Sequence, residues 1–118
     1  MKIAFVTGGA GHVGGNLIRQ LLAQGWAVRC LIHHDVRALE GLSVEHVEGN
    51  LSDKNRLVKQ MAGCDAVFHT AAYVAVEQVN FAKMKAINID GTAAICQAAL
   101  DAHIPKFIHF SSIHAFQQ

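Results

Sequence analysis

Charge and cysteine are both scarce in this sequence, and each shortage narrows what the chain can do. Ten Lys and Arg against nine Asp and Glu leave a net charge of +1, with 16% of residues charged. A protein that gathers nucleic acid or an anionic membrane surface needs a basic excess, and none is present. No apolar run approaches the roughly 20 residues of a membrane-spanning helix. Met1-Lys2 leads at once into a strand-like stretch, without the apolar region and cleavage site of a signal peptide. The expected location is therefore cytoplasmic. The three cysteines, Cys30, Cys64 and Cys96, are odd in number, widely spaced and free of any C-x-x-C. They fit reduced thiols used as small apolar side chains. Eight histidines include one adjacent pair, His33-His34, and no spacing suited to a metal ligand set, so no metal site is expected.

What is present is apolar and regularly interrupted. Hydrophobic residues make up 52% of 118 positions, enough for one domain, 1–118, with a core of its own. Short β-branched runs occur at Ile3–Val6, Val28–Ile32, Val44–Val47, Ala66–His69 and Phe107–Phe110. The stretches between them have helical spacing. Val13, Leu17, Ile18, Leu21 and Leu22 form one stripe, opposed by Asn16, Arg19, Gln20 and Gln24 and ended by Gly25. A second helix starts at Ser52-Asp53, carries Leu57, Val58 and Met61, and stops at Gly63. The third runs from about Phe81 to Ala102 with Met84, Ile87, Gly91, Ala94, Ile95 and Ala98 inward, and the only proline, Pro105, marks its end. Val36–Gly41 reads as a turn or one short helix. Strands alternating with helices predict an α/β fold: a doubly wound parallel sheet of the Rossmann type, in order 3-2-1-4-5, cut short after strand five. In such a sheet His69 and His109 fall on strands covered on both faces, and both are expected to be satisfied core histidines.

The segment after the first strand carries the chemistry. Thr7-Gly8-Gly9-Ala10-Gly11-His12-Val13-Gly14 contains G-x-G-x-x-G at Gly9, Gly11 and Gly14, and T-G-x-x-G-x-x-G through Gly8, Gly11 and Gly14. A pyrophosphate requires a tight turn, bare backbone to approach, and the free N–H groups of a helix N-terminus. The glycines supply the first two and the following helix supplies the third. A strand before and an amphipathic helix after separate this motif from a merely flexible turn.

With these residues in view, the chain resembles the extended short-chain dehydrogenase/reductases, the NAD(P)-dependent epimerase/dehydratase group, and within it the branch of dihydroflavonol reductases and 3β-hydroxysteroid dehydrogenases. Thr7–Gly14 resembles that family's glycine motif, Gly49-Asn50-Leu51-Ser52-Asp53 its G-D-L-x-D beside the adenine, and Val67–Ala72 its V-x-H-x-A-A. Asn88-Ile89-Asp90-Gly91-Thr92 is similar to its N-V-x-G-T, and Phe110-Ser111-Ser112 to its serine pair after strand five. The resemblance implies a nicotinamide dinucleotide held by Gly8, Gly11, His12, Val13, Gly14, Asn50, Leu51, Thr70, Ala71, Ala72 and Asn88. It implies a catalytic side bearing Ser112 and Asn88. Asn50 stands where the family has Asp, and its amide oxygen can still accept from an adenine amino group. The family's Tyr-x-x-x-Lys is absent: the one tyrosine, Tyr73, is followed four residues on by Glu77. Ser112 can orient a carbonyl but cannot supply the proton that hydride transfer requires, and His114 is read as a loop residue. The chain alone is expected to be inactive.

NAD-specific sites place a carboxylate at the end of strand two. Here that slot falls on Ile32-His33, with Asp35 about two residues too late. His33, His34 and Arg37 read equally as a mildly positive pocket for a 2′-phosphate or as a solvated turn, and the expectation leans to NADP(H) over NAD(H). Two functions stand side by side. One is the N-terminal dinucleotide-binding portion of an oxidoreductase or epimerase acting on a carbonyl or hydroxyl, whose small-molecule substrate binds only in the full-length protein. The other is a complete, non-catalytic NAD(P)-binding sensor or regulatory module. An unpaired strand-five edge and the long helix's apolar face predict a homo-oligomer.

Overall fold

The computed structural model describes residues 1–8, 12–32, 41–49, 51, 53–70 and 90–110, without the side chains of His12 and Val13. The elements in chain order are β1 (Ile3–Thr7), α1 (His12–Ala23), β2 (Ala27–Ile32), β3 (Glu45–Glu48), α2 (Lys54–Met61), β4 (Ala66–His69), α3 (Gly91–Asp101) and β5 (Lys106–His109). The strands form one parallel sheet in the order β3-β2-β1-β4-β5, as the alternating pattern predicts. The expected segment Phe81–Ile89 of the third helix, with Met84 and Ile87, lies outside the described residues, as do residues 36–40 of the expected turn Val36–Gly41. No helix among the described residues is long and apolar enough to cross a membrane.

β1 is the central strand, and Ala4, Phe5, Val6 and Thr7 are all inaccessible to solvent. Successive side chains leave a strand on opposite faces, so this one strand feeds two cores. On one face Ala4 and Val6 meet Val28, Cys30 and Ile32 of β2 and the Ile18–Leu21 stripe of α1. On the other, Phe5 and Val67 meet Leu57 and Met61 of α2 and Ile95, Ala98 and Ala99 of α3. Asn16, Arg19, Gln20 and Gln24 face solvent, as the helical pattern requires. Cys30 and Cys64 fill small gaps in the two cores, whereas Cys96 is exposed on α3 and does not pack as expected of all three.

The helix ends are closed by local chemistry. Gly25 takes φ +87° after α1, its N–H donating to Leu22 O at 3.1 Å and that of Trp26 to Leu21 O at 3.0 Å. This pair of bonds satisfies two carbonyls that would otherwise be orphaned. Trp26 then packs edge-on against Phe68, with Lys2 Nζ 5.5 Å above its ring. Asp53 caps α2, accepting from the Arg56 N–H at 3.1 Å. At the other end Ala62 and Gly63 (φ +83°) make a type II turn that Cys64 N–H closes onto Met61 O at 3.0 Å. Arg29 of β2 reaches across to that end, Nη1 donating to Gln60 O at 2.6 Å and Ala62 O at 3.1 Å while Nε meets Glu45 Oε1 at 3.1 Å. A guanidinium beside the negative end of a helix dipole joins β2, β3 and α2 at one point.

Two sequence expectations need correction. β3 and β5 each sit one residue away from the apolar runs that predicted them, and both are sheet edges. His109 is exposed, because β5 has no strand on its outer side among the described residues. His69, on the inner strand β4, is only 1% exposed and matches the expectation.

Candidate functional site

In a parallel sheet all strands present their C-terminal ends at one edge, and the chain must turn there into a helix. β1 does so through Gly8, which takes φ +74°, a left-handed conformation that glycine adopts without a Cβ clash. α1 begins four residues later, at His12.

Gly14, in the first turn of α1, is buried against that bend. A Cβ there would lie 2.0 Å from the Gly8 carbonyl oxygen, 2.7 Å from its carbon and 2.9 Å from Thr70 Oγ1. The first two are backbone atoms and cannot rotate away, so glycine is the only residue that fits. Its absence of side chain lets the helix N-terminus lie directly on the end of β1. Amide N–H groups at such a terminus carry partial positive charge and suit an anion.

Thr70, the first residue beyond β4, fastens the same corner. Its N–H donates to Thr7 Oγ1 and to Thr7 O, each at 3.2 Å, and its hydroxyl donates to Thr7 O. Gly8, Gly14 and Thr70, predicted separately from two motifs, are thus brought together. Leu51 lies elsewhere, half-buried against the core beneath α2 and α3. Gly11, His33, Asn50, Ala71, Ala72, Asn88 and Ser112 lie outside the described residues, as do the side chains of His12 and Val13.

Sequence reasoning missed what surrounds His69. Its Nδ1 lies 2.7 Å from Thr7 Oγ1 and its Nε2 lies 3.1 Å from Thr92 Oγ1. The ring stacks on His109 at 5.4 Å between centroids and approaches Phe107 at 6.4 Å. Burial, with the neighbouring His109, lowers the His69 pKa to about 4, so the imidazole is uncharged at neutral pH. The signal for Thr7 and Thr92 was available: each is the threonine of a motif quoted above, Thr7 opening the glycine motif and Thr92 closing Asn88–Thr92. Among the described residues no group of three or more His, Cys, Asp or Glu could hold a metal ion.

Comparison with known proteins places this geometry. Residues 4–118 match the model of the NAD dependent epimerase/dehydratase family. Sterol demethylase protein B of Methylococcus capsulatus is 38% identical over 112 residues, covering 93% of this chain and 34% of that protein. The 3 beta-hydroxysteroid dehydrogenase/Delta 5→4-isomerase of Mycobacterium tuberculosis is 31% identical over 113 residues, covering 91% of this chain and 30% of that one. Among solved structures, UDP-glucose 4-epimerase from Brucella ovis in complex with NAD superposes with a TM-score of 0.85 at 30% identity, covering 96% of this chain and 36% of that one. The chain spans about a third of the length of the relatives it matches.

Proposed function

The chain belongs to the NAD dependent epimerase/dehydratase family, and from that premise we propose that it is the dinucleotide-binding portion of an NAD(P)-dependent oxidoreductase or epimerase acting on a carbonyl or hydroxyl substrate. The observation that carries the reading is the contact of Gly14 with Gly8, which leaves no room for a side chain where the helix N-terminus meets β1. Close packing of helix on strand at the third glycine is what a dinucleotide fold requires, and it sets the helix N-terminus where its amide groups can meet a pyrophosphate. Gly8, Gly11, His12, Val13 and Gly14 hold the pyrophosphate, Asn50 and Leu51 the adenine, and Thr70, Ala71 and Ala72 the adjoining ribose. Asn88 and Ser112 face the substrate. Once bound, the nicotinamide supplies a hydride acceptor or donor, while these side chains orient and hold. Each relative named above bears an enzyme's name, which favours this reading over that of a sensor module.

The cofactor reading is finer than the family. β2 ends at Ile32, and the next residue in the sequence is His33 rather than an acid. A carboxylate at that point would accept from the ribose hydroxyls of NAD(H), and a basic group suits the additional phosphate of NADP(H). NADP(H) is therefore the proposed ligand. In the whole protein the substrate is a small molecule, and the chain self-associates through the outer face of α3, where Leu100 is 68% exposed.

Calorimetry on the 118-residue chain tests both levels. NADPH should bind more tightly than NADH, and His33→Asp should reverse the order. Gly11→Val, folded by circular dichroism, should bind neither. Absence of binding by the wild-type chain refutes the function, and tighter binding of NADH refutes the cofactor preference alone.

A further inference from the structure

We propose that His69 is a positioning residue for the dinucleotide cradle, its ring tying the end of β1 through Thr7 to the first turn of α3 through Thr92. The proposal rests on the reading of this chain as a dinucleotide-binding portion.

The geometry is a chain of fixed points. The His69 ring touches Thr7 Oγ1 at 2.7 Å on one side and Thr92 Oγ1 at 3.1 Å on the other. Thr70 binds the Thr7 carbonyl and hydroxyl together. The last peptide of β1 is therefore gripped from β4 at several atoms. That peptide leads directly into Gly8, whose carbonyl is the surface on which Gly14 rests. A tilt at Thr7 would move the Gly8 carbonyl, and with it the start of α1 relative to the sheet. Thr92 brings α3 into the same linkage, because it is the second residue of that helix.

Burying an imidazole is costly unless its nitrogens are bonded, since each unsatisfied polar group gives up its water partners without replacement. A phenylalanine would fill the place without that penalty, as Phe107 does on the neighbouring strand. What the imidazole adds is direction, because its two nitrogens fix two hydroxyls on separate elements. Buried polar groups satisfied in this way specify one arrangement of their surroundings.

The test is dinucleotide affinity by calorimetry, beside thermal stability, for the full 118-residue chain. Thr92→Val keeps shape and removes the hydroxyl, and it should weaken binding roughly three- to tenfold although Thr92 lies on a different element from the glycine turn. In a His69→Phe background the same substitution should have no further effect, and His69→Gln, which keeps a donor and an acceptor, should recover part of the loss. Ile95→Val, in the core beneath α3, is the control: it should lower the melting temperature and leave affinity unchanged. Should Thr92→Val bind as tightly as wild type, or lose affinity no more than Ile95→Val does, the proposal is overturned. That result needs no folded His69→Phe chain. A wild-type chain that binds no dinucleotide overturns the functional reading instead, and the positioning role with it.

Discussion

At the scale of the residue, burial gives His69 a dependence on acid. In the unfolded chain an imidazole gains its proton near pH 6.5, and in the folded chain only near 4. Between those values the unfolded state binds more protons, so stability is complete above about pH 6.5 and declines as pH falls toward 4. At roughly 1.4 kcal/mol per pKa unit, the loss reaches about 3 kcal/mol at most. Urea melts at pH 7 and pH 4.5 should show this decline in the wild type. In His69→Gln the decline should be smaller by about 2 kcal/mol, since groups common to both chains cancel. Equal declines in the two proteins would mean that the buried ring is not what acid attacks. This behaviour was only half legible. A histidine on a central strand reads as buried, but its two hydroxyl partners lie 62 and 23 positions away, and only the folded register of β1, β4 and α3 brings them to it.

Elements were legible where a residue type dictates conformation. Gly25 and Gly63 mark the ends of α1 and α2 because a left-handed residue is easiest for glycine. α3 ends by the same pair of bonds, His103 N–H to Leu100 O at 3.1 Å and Ile104 N–H to Ala99 O at 2.9 Å, but with His103 at φ 59°. A histidine in that position carries no signal, so the end had to be inferred from Pro105 two residues on. The edge strands slipped by one residue for a related reason. Glu45, His46 and Glu48 of β3 are exposed, and a strand with one neighbour need not be apolar throughout. Also at this scale stands the outer face of α3, where Cys96 and Gln97 are exposed on one turn and Leu100 on the next. Sedimentation velocity from micromolar to millimolar concentration should show self-association, and Leu100→Lys should restore a monomer. A wild-type chain that stays monomeric over that range removes α3 as an interface.

For the whole molecule, sheet order and direction followed from alternation alone, because right-handed crossovers leave few arrangements of five parallel strands. The corner formed by Gly8, Gly14 and Thr70 was legible as two motifs, 56 residues apart from Gly14 to Thr70, but not as a single contact. Nothing in either motif states that a threonine hydroxyl would border the space denied to a glycine side chain. The central place of β1 has a further consequence, in time. Pairing β1 with β2 closes only the short loop through α1, whereas pairing it with β4 joins residues 62 positions apart. Long loops cost more entropy to close before any contact rewards them, so the β1–α1–β2 unit should assemble first and β4, α3 and β5 should dock onto it later. The native chain should retain that order in reverse. Amide hydrogens of β1, flanked by strands on both sides, should exchange only when the whole chain unfolds, and those of β5 through smaller, more frequent openings. Exchange rates for Val6 and Ile108 that coincide at every denaturant concentration would show the sheet opening as one unit. If they diverge, β5 opens on its own, and the strand whose end carries the helix N-terminus is among the last parts of the sheet to come apart.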